Sequence, residues 1–314
     1  MINYEENRKQ DISLTEVITS LKPIFPDLRR KQIKFIYHGS YNVFEVKEKY
    51  IFRFPDKIFR NSAGAKLITN EVRMLNIIKN YVDFNIPDPI FISTEEDNLF
   101  IGYEMLKGIS LSKCFMRATK SNKIGISKDI GSFLSQLHSD ELKAELIVDS
   151  TNDLKFTTKY IEDWKKFYKD IQKKAFSLTN STQKIWIINL FDSFLNNKEN
   201  FNFIPTVVHG DFDISNILVN SGTFDVTGII DFEESRIYDP AVDLLFYNEG
   251  DLFLRNILAN YQRQIDSHLE VRMKFLFGCT CLHYIKFGIE HNINDMIKVG
   301  FKKLKYIMKI FSTL

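Results

Sequence analysis

The stretch Val207-Val208-His209-Gly210-Asp211-Phe212-Asp213-Ile214-Ser215-Asn216-Ile217-Leu218-Val219-Asn220, closed by Gly228-Ile229-Ile230-Asp231-Phe232-Glu233-Glu234, decides how the rest of the chain is read. It sets His209, Asp211, Asn216 and Asp231 at the ends of short apolar runs. Ile217-Leu218-Val219 and Val226 to Ile230 predict two strands, and Asn220-Ser221-Gly222 predicts the turn between them, so a hairpin is expected. Polar groups at strand ends sit on a rigid scaffold beside solvent, where sites are often built. A carboxylate followed closely by an amide, with a second carboxylate beyond the hairpin, suits phosphoryl transfer. One acid takes the acceptor's proton; the amide and the other acid offer hard oxygen ligands for Mg²⁺.

Composition sets the bounds. A chain of 314 residues with 44% hydrophobic content and 28 phenylalanines can bury the core of one large domain or of two lobes. Lys+Arg 42 and Asp+Glu 40 nearly cancel, which gives no global argument for a nucleic-acid partner. Cys114, Cys279 and Cys281 lack the paired spacing of a zinc site and read as reduced packing residues of a cytoplasmic protein. The N-terminal residues 1–10 are charged and lack the apolar core of a signal peptide. No apolar run approaches the roughly 20 residues of a spanning helix. A cytoplasmic monomer without a membrane or nucleic-acid partner is expected.

Leu14, Val17, Ile18 and Leu21 have helical spacing, with Ser13 and Glu16 placed as a capping box and Pro23 and Pro26 ending the helix. Residues 32–38 and 43–54 predict a three-stranded antiparallel meander, turned first at Gly39-Ser40-Tyr41-Asn42 and then at Glu48-Lys49. The first turn is either an ordinary hairpin or a loop whose N–H groups and Ser40 cover a phosphate. Arg53 alternates toward that loop, and Glu71, on a predicted helix over 66–80, offers it a partner. A strand cation paired with a helix carboxylate is the device by which kinases grip α- and β-phosphates. Residues 91–93 and 99–105 predict two further strands. After about residue 105 the chain turns helical, over 126–138, 156–175, 183–196, 241–247, 251–263, 269–290 and 295–311. The lysine run over 165–174 reads as a solvated helix face.

His209-Gly210-Asp211-Phe212-Asp213-Ile214-Ser215-Asn216 resembles the H-x-D-x-x-x-x-N loop of aminoglycoside phosphotransferases and related small-molecule kinases. Ile230-Asp231-Phe232-Glu233 resembles their metal-binding motif, and Asp239-Pro240-Ala241-Val242-Asp243-Leu244 is similar to the D-P-x-x-D segment that follows it. Leu106-Lys107-Gly108-Ile109-Ser110-Leu111 looks like their post-hinge segment. The resemblance runs in order over about residues 35–250. It implies an α+β, protein-kinase-like bilobal fold, with a small five-stranded antiparallel N-terminal lobe over 1–105, a hinge near 103–108, and a larger, mainly helical lobe over 106–314. It implies Asp211 as the catalytic acid–base residue, Asn216 and Asp231 as Mg²⁺ ligands, and His209 and Asp243 as structural support. Ser40, Arg53 and Glu71 would face the triphosphate, and Tyr103, Glu104, Met105 and Leu106 the base. Arg53 departs from the lysine of the kinase pattern: it keeps the charge but is planar and bidentate. A bulky residue at Tyr103, near the gatekeeper position, implies use of GTP at least as well as ATP.

The acceptor is less sharply written. Asp213 and Glu234 are tied to the catalytic loop and the metal motif. Glu233, Glu249, Asp251 and, further on, Glu290 add acids, with Phe287 as an apolar wall. A carboxylate-lined cleft on a protein of net charge +2 suits a cationic, polyhydroxylated small molecule. The Glu249/Asp251 spacing is similar to that of the 2''-aminoglycoside phosphotransferases. A macrolide kinase, a metabolic kinase of the choline, thiamine, homoserine or methylthio-sugar type, and a nucleotide-binding module without transfer are the other readings.

Overall fold

Alternating apolar residues over 33–55 build three antiparallel strands, β1 (Ile33–His38), β2 (Tyr41–Val46) and β3 (Tyr50–Pro55), in the computed structural model, which describes residues 9–147 and 152–311. Most of the charged N-terminal stretch, residues 1–8, lies outside the described residues. Helix α1 (Leu14–Leu21) starts at Ser13, whose side chain and that of Glu16 form the expected capping box. Helix α2 (Ser62–Ile78) starts earlier than its periodicity predicts, because the Asn61 side chain caps it by accepting the Ala63 N–H. Strands β4 (Pro89–Glu95) and β5 (Asn98–Glu104) complete a five-stranded sheet in the order β1-β2-β3-β5-β4, antiparallel throughout.

The two faces of this sheet bury different partners. Phe44, Phe52, Phe54 and Phe100 pack with Val17 and Leu21 of α1. Tyr41, Val43, Leu99 and Ile101 pack with Ile68 of α2. The far end of α2 (Met74, Leu75, Ile78) belongs instead to the large core of the helical part, so this one helix is shared between the two halves of the fold. Gly102 is demanded by packing: a Cβ there would lie 2.5 Å from Phe52 Cε1.

Beyond β6 (Ile109–Ser110) the chain forms α3 (Lys120–Leu137), α4 (Asp140–Leu146), α5 (Asn152–Lys174) and α6 (Ser181–Leu195). Four short strands follow: β7 (Thr206–Val208), β8 (Ile217–Val219), β9 (Val226–Ile229) and β10 (Arg236–Tyr238). The expected hairpin is β8–β9, extended by β6, while β7 pairs with β10. Helices α7 (Asp251–Asn260), α8 (Leu269–Glu290) and α9 (Asn294–Ile310) complete the fold. No described helix is long and apolar enough to cross a membrane.

Two local expectations are corrected. The first turn is only Gly39-Ser40; Tyr41 and Asn42 already pair with Pro55 and Phe54 in the sheet. The Tyr41 ring lies under Arg53 and the Asn42 amide donates to Asp11, so both side chains favour an extended backbone. Residues 241–247 do not form an α-helix. Asp239 caps a tight 3₁₀ turn over Pro240–Leu244, Leu245 leaves helical geometry, and a second turn follows over Phe246–Glu249.

Candidate active site

The loop between β7 and β8 is held by one buried carboxylate. Asp243 accepts the His209 N–H at 2.6 Å on one oxygen and the Gly210 N–H at 2.9 Å on the other. His138, at the end of α3, lies 3.1 Å from the first oxygen. Burial opposes the Asp243 charge, but the His138 bond and the loop N–H groups outweigh it and hold the carboxyl below its ordinary range. His209 in turn donates Nε2–H to the Ile230 carbonyl at 2.9 Å, binding the loop to the end of β9. Both His209 and Asp243 therefore stand behind the loop.

Gly210 permits this turn. Its φ is +90°, and a Cβ would lie 2.5 Å from the Glu234 carbonyl oxygen. Gly210→Ala is expected to cost about 1–3 kcal/mol from backbone strain alone, with the clash adding to it. Urea unfolding against the wild type checks this, and an unchanged midpoint refutes it.

On the front of the loop Asp211 is exposed. The Asn216 amide donates to the Asp211 carbonyl at 2.8 Å, which fixes the amide plane, and the Ile230 N–H donates to the Asn216 carbonyl at 3.0 Å. Asp231 follows with a φ of +73°, a costly conformation for a non-glycine residue. The strand therefore ends at Ile229, and its terminal carboxylate is turned out of the ladder.

Arg53 joins the two halves at this point. It donates to Glu71 at 2.5 Å, to Asp231 at 2.6 Å and to Glu233 at 3.1 Å, and its guanidinium lies 4.2 Å above the Tyr41 ring. Arg53 and Glu71 are buried, at 3% and 0% exposure. Burial works against the Arg53 charge, but Asp231 and Glu71 outweigh it and keep the guanidinium protonated. Burial, then the Asp231 charge, pushes the Glu233 carboxyl well up, while a Ser40 hydrogen bond acts in the opposite sense. Arg53 Nε, Glu71 Oε2 and Tyr41 Oη are buried without a hydrogen-bond partner among the described residues. Orphaned polar groups of this kind need an explanation, and a polar ligand beside Asp231 supplies one. The oxygen-only pair Asn216 and Asp231 fits the donor set of a hard divalent cation.

Tyr103 pairs with Ile51, on the Arg53 face of the sheet, and burial pushes its phenol up. The Met105 N–H donates to the Lys49 carbonyl at 2.8 Å. Because antiparallel ladders alternate, the backbone groups of Glu104 turn away from β3. Leu106 packs over Gly228 in β9.

The predicted acceptor acids separate into groups. The Asp213 charge reaches Glu249, and Glu249 and Asp251 line a cavity of ≈ 400 Å³ with Lys120, Lys123 and Asn256. Asp213 also accepts the Ser215 N–H at 2.6 Å, closing a turn inside the β7–β8 loop. Glu234 pairs with Arg236 at 3.0 Å. Glu290 is engaged by Lys174 and by Lys286, and Phe287 packs on His291 at 4.2 Å, so these two lie among the ends of α5 and α8. Tyr41 and His138 lie at the site although the sequence does not predict them there, and Glu233, expected among the acids near the acceptor, pairs with Arg53 at 3.1 Å. Glu233 was legible inside the metal motif; His138 carries no local signal, being far from Asp243 in sequence.

The model of the phosphotransferase enzyme family matches residues 32–264. Among solved structures, an aminoglycoside 2'-phosphotransferase-IIIa in complex with GDP superposes with a TM-score of 0.80 at 21% identity, covering 94% of this chain and 98% of that one. A GDP and kanamycin complex of a related 2''-phosphotransferase gives 0.81 at 22% identity, over 94% and 99%. A macrolide 2'-phosphotransferase from Brachybacterium faecium gives 0.68 at 16%, over 93% and 98%. The kinase-like fold is thereby shared over more than nine-tenths of the chain.

Proposed function

This chain belongs to the phosphotransferase enzyme family, and from that membership and the geometry above we propose that it transfers the γ-phosphate of GTP or ATP to a hydroxyl of a cationic small molecule, an aminoglycoside in first place. The observation that carries the reaction is the convergence of Arg53, Glu71 and Asp231 beside the Asp211–Asn216 loop. The sheet part up to about residue 105 binds the nucleotide, with Glu104 to Leu106 as the hinge against the base and Ser40 and Arg53 toward the phosphates. Asp211 orients the acceptor hydroxyl and receives its proton as the hydroxyl oxygen bonds the γ-phosphorus and the bond to the bridging β-oxygen breaks. Positioning matters more than basicity in such a loose transition state. Mg²⁺, held by Asn216 and Asp231, supplies neutralisation of phosphate charge when bound. A transfer screen with both nucleotides against aminoglycosides, macrolides and amino-alcohols tests the acceptor. Turnover stimulated by another class and by no aminoglycoside overturns it. The ratio of kcat/KM for GTP and ATP tests the role of Tyr103, and a large ATP preference refutes it.

Glu249 makes the acceptor reading sensitive to pH. Burial, then the Asp213 charge, pushes its carboxyl up to about 7. A cationic acceptor is held better by the ionised form, so KM for an amino-sugar should fall between pH 6 and 8 in the wild type and flatten in Glu249→Gln. The stability effect has the opposite sign. A raised carboxyl favours the neutral form in the fold, and that contribution is lost as pH rises through about 7. Glu249→Gln should therefore gain Tm relative to the wild type at pH 8 but not at pH 5.

A further inference from the structure

A second cluster of ligand-type side chains lies behind the Gly39-Ser40 turn, outside the residues assigned to transfer. His38 ends β1, Asp56 follows β3, and both are 1% exposed. Asp11 reaches them from the segment ahead of α1. His38 Nδ1 lies 2.6 Å from the Lys9 carbonyl. A carbonyl only accepts, so Nδ1 carries the N–H and Nε2 is the nitrogen turned to the carboxylates. Nε2 is 2.8 Å from Asp56 Oδ2 and 3.6 Å from Asp11 Oδ2, and one donor atom from each residue lies within 4.8 Å of the others.

The carboxylates are braced from outside. Asp56 Oδ1 accepts the Ile58 N–H at 2.9 Å. Asp11 Oδ1 accepts the Asn42 amide at 2.7 Å and the Arg60 guanidinium, and Asp11 Oδ2 accepts the Lys57 N–H at 2.9 Å. An imidazole oriented through its second N–H by a backbone carbonyl, with carboxylates fixed by outer hydrogen bonds, is how metal ligands are prepared. Bonds of about 2.0–2.2 Å to nitrogen and carboxylate oxygen place tetrahedral ligand atoms about 3.3 Å apart, between the two separations seen here. A proton on Nε2 would serve Asp56 alone, because 3.6 Å is too long for a hydrogen bond to Asp11. A metal ion would engage all three. Imidazole suits zinc and the later first-row ions rather than Mg²⁺.

We propose that Asp11, His38 and Asp56 form a divalent transition-metal site that fastens the N-terminal segment to the strand ends behind Gly39-Ser40. The Asp56 N–H already donates to the Ser40 carbonyl at 2.8 Å, so the ion would stiffen the turn that carries Ser40. The test uses the full chain, stripped with a chelator and returned to Mg²⁺ buffer, then titrated with Zn²⁺ in competition with a fluorescent zinc dye. One equivalent should bind, raise Tm, and show one imidazole and oxygen neighbours by X-ray absorption. Affinity should fall at least tenfold in Asp56→Asn and in Asp11→Asn. Asp11 is partly exposed and the change is isosteric, so this variant reports even where Asp56→Asn misfolds. No retained zinc, more than one imidazole at the bound ion, or an unchanged affinity in Asp11→Asn overturns the site.

Discussion

Asp211→Ala should remove phosphoryl transfer while leaving the protein folded. Asp211 is exposed at the front of a loop that is held from behind by Asp243 and His209. The bond that fixes Asn216 is made to the Asp211 backbone carbonyl, which the substitution keeps. Surface changes away from such features usually shift stability by about 0.5 kcal/mol or less. A positioned proton acceptor contributes about 10²–10⁴-fold to rate, so kcat should fall by that factor with KM for the nucleotide nearly unchanged. Steady-state kinetics beside urea unfolding check both halves. Retained kcat would move the acid–base role to another group; a collapsed fold would make Asp211 a structural acid. Substrate-independent nucleotide hydrolysis that disappears in the same variant separates a kinase from a module that only holds nucleotide.

The contrast between Asp211 and Arg53 shows which parts of the site are legible in a sequence. Asp211, Asn216 and Asp231 lie on one continuous strand-loop-strand stretch, so local spacing fixes their order and apolar alternation fixes the hairpin that carries them. The capping box at Ser13 and Glu16 is legible for the same reason. Tertiary partners are not local. His138 braces the loop through Asp243, 105 residues further along the chain, and Glu233 reaches Arg53 across a separation of 180. The Gly39 turn is shorter than its polar residues suggest, because contacts with Arg53 and Asp11 draw Tyr41 and Asn42 into the strand. The apolar spacing after Asp239 resembles helical periodicity, but the Asp239 cap and Pro240 go with the tighter 3₁₀ form. Only composition puts Glu290 and Phe287 with the acceptor acids, and packing places them among Lys174, Lys286 and His291.

Arg53→Met should be strongly destabilising. Three carboxylates, those of Glu71, Asp231 and Glu233, converge on one buried guanidinium, and Glu71 is 0% exposed. Replacing the cation with a neutral side chain leaves like charges facing each other without a counterion. Removing one partner of a buried ion pair costs about 3–5 kcal/mol. The deficit should shrink as pH falls, because the abandoned carboxylates relieve it by taking up protons. Urea midpoints at pH 8 and pH 5 measure this directly. Arg53→Lys keeps the charge but not the fork: a single ammonium cannot reproduce the paired Nη1 and Nη2 contacts to Glu71 and Asp231. It should recover part of the stability and less of the nucleotide affinity. The double variant Arg53→Met/Glu71→Leu separates the two roles. Removing both charges at once is often neutral for stability, so the urea midpoint should move back toward the wild type. Phosphoryl transfer should stay depressed by about 10²-fold or more, since the guanidinium that meets the phosphates is gone. Recovery of stability together with transfer would show that Arg53 only counters Glu71. Recovery of stability alone would place the guanidinium on the phosphates, with Glu71 holding it in reach.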